Sequence, residues 1–276
     1  AELENVFEEY NMYLDDNSTH TRNFIFGKLY EGHAYARDII GYPEDLKNPK
    51  MRQLIDFYNT WYVPNNMALI LVGDFDTEAA KPLIEKTFGK LQARPLPQRT
   101  QYPTTAFSQD ERYSAKLGYM PELYIAYNGV PVGDKDELLL DFLGEILSNS
   151  MQIGLLDELT LDNKLMYAGA MNDIRRDQGR FIVVAVPYMD AETQTYTSLK
   201  ETENLVNEAI QQLVNGNISE ELVEAVRQNF YQEFDRTMEY PAMKVQLLQN
   251  AFTYQQSIEE MLLQKERVAA ITMDDI

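Results

Sequence analysis

Glutamate, aspartate and histidine are the side chains of this sequence that could bind a metal ion, since it contains no cysteine. Glu2 and Glu9 lie seven residues apart near the start of the chain. On a helix with 3.6 residues per turn, this spacing brings both carboxylates to one face. One carboxylate could then bind a metal while the other supports the site, although a solvated acidic helix face would explain the same pair.

The two histidines do not complete such a site. His20 and His33 are thirteen residues apart, which matches none of the compact spacings that place two imidazoles on one zinc ion. We therefore predict that each is a surface or capping histidine.

The glutamate pair depends on a helix over Glu2–Leu14, where Leu3, Val6 and Tyr10 follow the helical period. Further helices are predicted over Thr21–Tyr30, Pro49–Trp61, Asp76–Phe88, Thr195–Val214, Ser219–Met238, Pro241–Tyr254 and Ser257–Ala270, with one more starting at a capping box of Asp134 and Glu137. Strands are predicted over Met67–Val72, Leu123–Tyr127, Leu165–Met171 and Arg180–Tyr188. These elements predict an α+β fold in which helices pack on mainly antiparallel sheets.

The proline-rich segment within residues 94–110 predicts a linker between two domains, 1–93 and 111–276. The net charge of -20 disfavours nucleic acid and anionic membranes as partners. The apolar runs are also far shorter than the roughly 18 residues that cross a membrane, so no membrane partner is predicted. The sequence leaves the compartment open, since bacterial periplasm and cytoplasm both fit.

Several segments together resemble zinc peptidases of the pitrilysin/insulinase family. Glu2–Asn11 is similar to the helix that supplies the distal zinc glutamate in that family, with the same two glutamates seven apart. Other matching segments, in the family's order and spacing, are His33–Tyr35, Ile40–Gly41, Tyr62–Met67, Val72–Asp74, Gly154–Leu159, Leu165–Ala168, Ile218–Leu222 and Ile271–Ile276. The resemblance implies a metalloprotease fold of the LuxS/MPP-like type, with a partial first domain and a complete second one.

The resemblance also implies roles for individual residues. Glu9 stands at the position of the third zinc ligand, and Glu2 at that of a supporting acidic residue. Zinc in such a site lowers the pKa of a bound water to about 7. The family's His-x-x-Glu-His motif occurs nowhere in this sequence, and its place would precede Ala1. We therefore expect a fragment of a zinc endopeptidase, cut at both ends, that alone neither holds catalytic zinc nor cleaves peptides.

Tyr167 stands where the family has a substrate-holding tyrosine, but Thr160 replaces the arginine found seven residues before it. The simpler interpretation is that Tyr167 packs under a helix as an ordinary sheet residue. If the resemblance holds, the substitution implies the first half of a long two-half enzyme.

Three functions remain open from the sequence. The first is the peptidase fragment, whose partners would be a peptide substrate and the remainder of the parent chain. The second is a non-catalytic relative that binds peptides or assists assembly, as in mitochondrial processing and respiratory complexes. The third is an unrelated α+β interaction module. An exposed sheet edge at Met67–Val72 would in addition favour a homodimer.

Overall fold

The computed structural model describes residues 2–276 and divides the chain into two compact units. The first unit extends to Pro103 and includes Thr237–Thr253, whereas the second contains Thr104–Arg236 and Tyr254–Ile276. The predicted division into 1–93, a linker over 94–110 and a homologous domain over 111–276 stays a prediction, because compactness does not test whether two domains are related.

The helices and strands are numbered along the chain. In order they are α1 (Glu2–Leu14), α2 (Asn17–Leu29), α3 (Pro43–Lys47), α4 (Met51–Trp61), α5 (Thr77–Phe88), β1 (Leu123–Asn128), α6 (Glu137–Leu147), α7 (Leu155–Leu161), β2 (Leu165–Asp173), β3 (Arg180–Pro187), β4 (Met189–Asp190), β5 (Thr195–Tyr196), α8 (Leu199–Val214), α9 (Glu220–Glu239), α10 (Pro241–Tyr254), α11 (Ile258–Leu262) and α12 (Gln264–Ala269). Short 3-10 turns lie at Ala34–Ala36 and Pro64–Asn66. Within residues 2–276, no helix is both long and apolar enough to cross a bilayer.

The first unit consists of helices that bury few apolar side chains. In its described residues the buried apolar side chains are Tyr30, Val63 and Ala251. Helix α4 instead leaves much of its apolar surface in solvent, with Leu54 53% and Tyr58 60% exposed. This unit therefore has little hydrophobic core of its own.

The second unit is built on an antiparallel sheet with the strand order β1-β3-β2. Ala185 of β3 lies opposite Leu123 on one side and Ala168 on the other. Strand β3 is paired along both edges, and all of its residues are buried. Helices pack on one face of the sheet and form a core that includes Phe142, Ile146, Leu156, Ala168, Val183, Ala185, Val206, Val226 and Val268.

The buried Arg180 at the start of β3 holds the chain segment before β1. Its guanidinium donates to the carbonyl oxygen of Thr105 and lies 4.4 Å from the centroid of the Phe107 ring. The backbone N–H of Thr105 also donates to the side-chain oxygen of Gln178 at 2.8 Å. Residues 105–107 thus belong to the packing of the second unit.

Most of the predicted elements are confirmed. Helices α1 and α10 have the predicted bounds, and β1, β2 and β3 each differ by at most two residues at an end. Asp76 caps α5 as predicted, because its carboxylate accepts hydrogen bonds from two backbone N–H groups at 2.8 and 3.0 Å. The all-antiparallel pairing with helices alongside confirms the predicted α+β class.

Four helix predictions near turns are wrong. The helix predicted over Thr21–Tyr30 starts earlier, at Asn17, because the Asp16 carboxylate caps it there. The predicted capping box would start a helix at Asp134, but Asp134 accepts from the backbone of Asp136 within a turn and α6 starts only at Glu137. The helix predicted from Thr195 begins at Leu199, where Ser198 caps it, because Thr195 pairs with Asp190 in a short hairpin. The single helix predicted after Ser257 is split into α11 and α12.

The strand predicted over Met67–Val72 is also wrong. This segment has no regular secondary structure, and Leu69 and Leu71 are 51% and 49% exposed. A strand needs a neighbouring strand to accept and donate its backbone hydrogen bonds. All strands of the described residues lie between Leu123 and Tyr196, so the first unit offers this segment no partner.

Candidate metal-ligand helix and open sheet face

Helix α1, which carries both candidate glutamates, packs in the first unit against α2 and α3. Val6, Phe7 and Tyr10 are half-buried on its packed side. The ring of Phe7 lies 6.3 Å from that of Tyr10 and 5.6 Å from Nζ of Lys47 on α3. The apolar stripe thus fixes the orientation of α1 and leaves its acidic side in solvent.

Glu2 and Glu9 are both exposed on this acidic side. Neither carboxylate has a hydrogen-bond or ion-pair partner within residues 2–276. Their spacing of seven residues places them on the same face of α1. The proposed role of either side chain in a metal site stays a prediction.

The described residues do not form a metal site by themselves. No group of three or more His, Cys, Asp or Glu side chains within residues 2–276 is arranged to hold an ion. Zinc in a peptidase needs three protein ligands and one open position. The carboxylate of Glu9 has the right chemistry for one of these ligands.

Both histidines act as caps, as predicted. Nε2 of His20 donates to the carbonyl oxygen of Leu14 at 2.7 Å, which satisfies an acceptor at the end of α1. His33 is 4% exposed, and its Nδ1 accepts from the backbone N–H of Tyr35 at 3.2 Å. Its ring lies between Tyr35 and Tyr102, with ring centroids 4.1 and 5.0 Å away.

Tyr167 lies on the face of the sheet opposite the helices. It is 53% exposed, so the interpretation that it packs under a helix is wrong. Its ring lies over Gly169, where an added Cβ would come within 2.8 Å of the Tyr167 hydroxyl oxygen. Tyr124 of β1 and Met171 of β2 share this face and are 37% and 48% exposed. We call the surface formed by Tyr124, Tyr167 and Met171 the open face.

The open face can offer both apolar contact and a polar group to a ligand. The hydroxyl of Tyr124 donates to the Glu122 carboxylate at 2.9 Å. Burial raises the pKa of the Tyr124 hydroxyl, and the nearby Glu122 carboxylate raises it further. This tyrosine therefore stays protonated near neutral pH. A substrate-binding role for Tyr167 stays a prediction.

Sequence reasoning missed two carboxylates in the second unit, Asp157 on α7, which is buried, and Asp141 on α6, which is half-buried. Asp157 is 6% exposed and accepts hydrogen bonds from the Ser148 hydroxyl at 2.8 Å and from the backbone N–H groups of Asn149 and Gly154, both at 2.9 Å. Gly154 has no room for a Cβ, which would lie 2.6 Å from the Leu147 carbonyl oxygen. Gly154 and Asp157 have the spacing of a capping box at the start of a helix, and this pattern could have indicated the role of Asp157.

Asp141 is the second of these carboxylates. Its Oδ1 accepts from Nδ2 of Asn172 on β2 at 3.0 Å. Burial raises the pKa of Asp141 to about 6, with Glu137 and Glu145 on the same helix adding to the rise and the Asn172 hydrogen bond opposing it. Oδ1 of Asn172 is buried without a hydrogen-bond partner. A protonated Asp141 could donate to this oxygen, whereas an ionised one could not.

A family model described as the peptidase M16 inactive domain matches residues 50–230. The chain belongs to this M16 family. The match confirms the resemblance seen in the sequence and covers β1, β2, β3 and the open face. The description "inactive" refers to the kind of domain, and the matched range begins after α1 with Glu2 and Glu9.

Relatives of this M16 chain carry zinc protease names. It is 39% identical over 70 residues to "Probable zinc protease PqqL" of Escherichia coli and 22% identical over 169 residues to "Zinc protease PqqE" of Helicobacter pylori. These matches cover 25% and 58% of the chain, and 8% and 37% of the relatives. The crystal structure of a protease from Helicobacter pylori aligns with 99% of the chain at a TM-score of 0.82 and 18% identity, which shows the shared fold.

The M16 chain is shorter than these relatives. It spans 66% of the solved Helicobacter pylori chain, and thus less than two thirds of each protein compared here.

Proposed function

We propose that this chain is part of a larger zinc-dependent endopeptidase, to whose metal site α1 contributes the carboxylate of Glu9. Glu2 would support the site from the same helical face. The observation that carries the proposal is the exposure of both carboxylates, without partners in the described residues, on a helix fixed by its opposite side. The zinc protease names of the relatives support the choice of metal.

The isolated chain is proposed to be inactive. Glu9 is a single ligand, and the described residues supply no group of three metal-binding side chains. A single exposed carboxylate cannot hold a catalytic zinc ion in place of a three-ligand set. The remaining ligands would come from the remainder of the parent chain, which is the first proposed partner.

A peptide is the proposed substrate, with the open face as a contact surface. Tyr167 and Met171 supply exposed side chains on β2, which is an edge strand of the sheet. An extended peptide can pair with such an edge through its backbone while its side chains contact the neighbouring face. Tyr167 would act here by binding and not by reacting.

The test of the metal role compares two neighbouring glutamates on α1. Glu9→Gln in the full parent protein should abolish cleavage of a quenched fluorescent peptide and lower the bound zinc measured by mass spectrometry. Glu8→Gln makes the same charge change one residue away and should leave both unchanged. Full zinc content and activity in Glu9→Gln would refute the role of Glu9, as would catalytic zinc bound by residues 1–276 alone.

The first unit is proposed to be completed by additional polypeptide. Its α4 and the segment Met67–Val72 expose apolar side chains that a domain normally buries. In the absence of further chain, two copies could cover these surfaces mutually, which gives the proposed homodimer. Sedimentation of the isolated chain should then show a dimer at high concentration, and a strict monomer would contradict this proposal.

A non-catalytic role is the second candidate. It is favoured by the description of the matching family as an inactive domain. In that case the open face would bind peptides or a partner subunit without cleavage. Loss of peptide binding on Tyr167→Ala, together with no zinc and no cleavage in the complete parent protein, would select this alternative.

A further inference from the structure

A groove of about 410 Å³ lies on the second unit where α7 begins, α8 ends and α9 begins. Its more buried lining is apolar and comes from Leu155, Ile218 and Leu222. Glu158 of α7 and Glu221 of α9 are exposed in the same lining. The groove therefore combines an apolar interior with two carboxylates open to solvent.

The two carboxylates of the groove are not neutralised by the chain itself. Neither Glu158 nor Glu221 forms an ion pair within residues 2–276. The nearest basic residues in sequence are already paired, because Lys164 binds Asp162 at 2.9 Å and Arg227 binds Glu224 at 3.1 Å. With a net charge of -20 for the whole chain, this surface favours a cationic ligand.

An anionic ligand is disfavoured at the same place. The start of α9 could attract an anion through its free N–H groups. However, the Ser219 hydroxyl accepts from the backbone N–H of Leu222 at 3.1 Å and so caps the helix internally. Glu221 in the first turn adds negative charge there.

We propose that this groove binds a short segment of a partner protein in which an apolar side chain is flanked by lysine or arginine. The apolar side chain would contact Ile218 and Leu222. The aliphatic parts of the basic side chains would pack along the groove while their charged ends reach Glu158 and Glu221. A volume of about 410 Å³ is at the lower end of ligand pockets, which suits two or three side chains and not a whole domain.

The proposed docking site is independent of the proposed metal site. Its residues belong to α7, α8, α9 and the adjoining loops, whereas Glu2 and Glu9 belong to α1 in the other unit. Binding in the groove is therefore expected in Glu9→Gln, even if that variant loses all cleavage of peptides.

The test measures the fluorescence anisotropy of labelled nonapeptides mixed with the full 276-residue chain. A peptide centred on Lys-Leu-Lys should bind, while peptides centred on Lys-Ser-Lys and Glu-Leu-Glu should bind at least about fivefold more weakly. The affinity for Lys-Leu-Lys should fall as salt is raised, because the carboxylates are exposed. Equal binding of Lys-Ser-Lys and Lys-Leu-Lys would overturn the proposal, since the apolar lining would then contribute nothing.

Variants locate the binding. The double variant Glu158→Gln/Glu221→Gln should weaken Lys-Leu-Lys binding about fivefold to tenfold, from two exposed charge pairs. Ile153→Ser removes a lining side chain that is 39% exposed in a loop and should weaken binding about threefold without disturbing the core. Glu192→Gln, an exposed glutamate in the β4–β5 turn, should change nothing. Unchanged affinity in the double variant, or an equal loss in Glu192→Gln, would place binding elsewhere and refute the proposal.

Discussion

The two units of the chain differ in how much of their apolar surface they bury. In the second unit β3 is buried along its whole length and helices cover one face of the sheet. In the first unit α4 leaves its apolar side chains exposed, and three apolar residues of the unit's described part are buried. Since burial of apolar area is the main favourable contribution to folding, we infer that the second unit is stable by itself and that the first needs further contacts.

The largest effect that can test this comparison comes from truncating one apolar side chain in each unit. Ile146→Ala in the second unit removes a side chain with no exposed surface and should lower the free energy of unfolding by about 3 to 4 kcal/mol. Leu54→Ala in the first unit removes a half-exposed one and should cost less than about 1 kcal/mol.

Each truncation can be followed with a probe of its own unit. The single tryptophan, Trp61, belongs to α4 and reports on the first unit through its fluorescence in urea. Hydrogen exchange of the β3 amides reports on the second unit. A cost of several kcal/mol for Leu54→Ala would show that the first unit has a core comparable to that of the second.

The pH dependence of stability should differ between the units because of Asp141. Its pKa is raised from 3.8 to about 6 by burial in the second unit, so folding favours the protonated form. The stabilisation is complete below pH 3.8 and is lost as the pH rises through about 6, a change of roughly 2 to 3 kcal/mol.

Asp141→Asn should remove this pH dependence. The variant should be about 2 kcal/mol more stable than the wild type near pH 8, because an amide can donate to Oδ1 of Asn172 without carrying charge. Urea unfolding at several pH values, followed by β3 hydrogen exchange, measures the effect. The exposed carboxylate of Glu8 in the first unit provides the control, and Glu8→Gln should keep the wild-type slope. A slope that survives in Asp141→Asn would rule out Asp141 as its source.

The smallest pair of effects concerns two glycines, and their signs should be opposite. Gly154→Ala in the second unit places a Cβ 2.6 Å from the Leu147 carbonyl oxygen and should cost about 2 kcal/mol. Gly27→Ala within α2 of the first unit meets no atom within 4 Å and should stabilise that helix by about 0.8 kcal/mol. Thermal unfolding followed by circular dichroism gives both values, and destabilisation by Gly27→Ala would reveal a contact at α2.

The sequence predicted those elements whose pattern is local. Helix α1 follows from the spacing of Leu3, Val6 and Tyr10, and the start of α5 follows from Asp76, because a capping carboxylate acts within one turn. The strand prediction for Met67–Val72 was wrong because a strand depends on a distant partner strand, which apolar composition does not reveal. The helix start predicted at Thr195 was wrong for a similar reason, since the pairing of Thr195 with Asp190 outweighs the helical pattern of the sequence.

The candidate site could be predicted only in part. The spacing of Glu2 and Glu9 fixed their common helix face, but exposure at that face depends on which side of α1 packs against α2 and α3. The alternation of side chains along β2 allows Tyr167 to lie on either face of the sheet. The helices that cover one of these faces are distant from Tyr167 in the sequence. The raised pKa of Asp141 could not be predicted at all, because it results from the burial of α6 against β2, and β2 is distant from Asp141 in the sequence.

The buried Arg180 has a practical consequence for isolating the second unit. A shortened protein that starts at β1 would lack the Thr105 carbonyl and the Phe107 ring that surround this guanidinium. It would leave a cation in the interior with fewer acceptors, which is costly. An excised version of this unit should therefore begin no later than Thr104, so that the residues before β1 that contact the Arg180 guanidinium are retained.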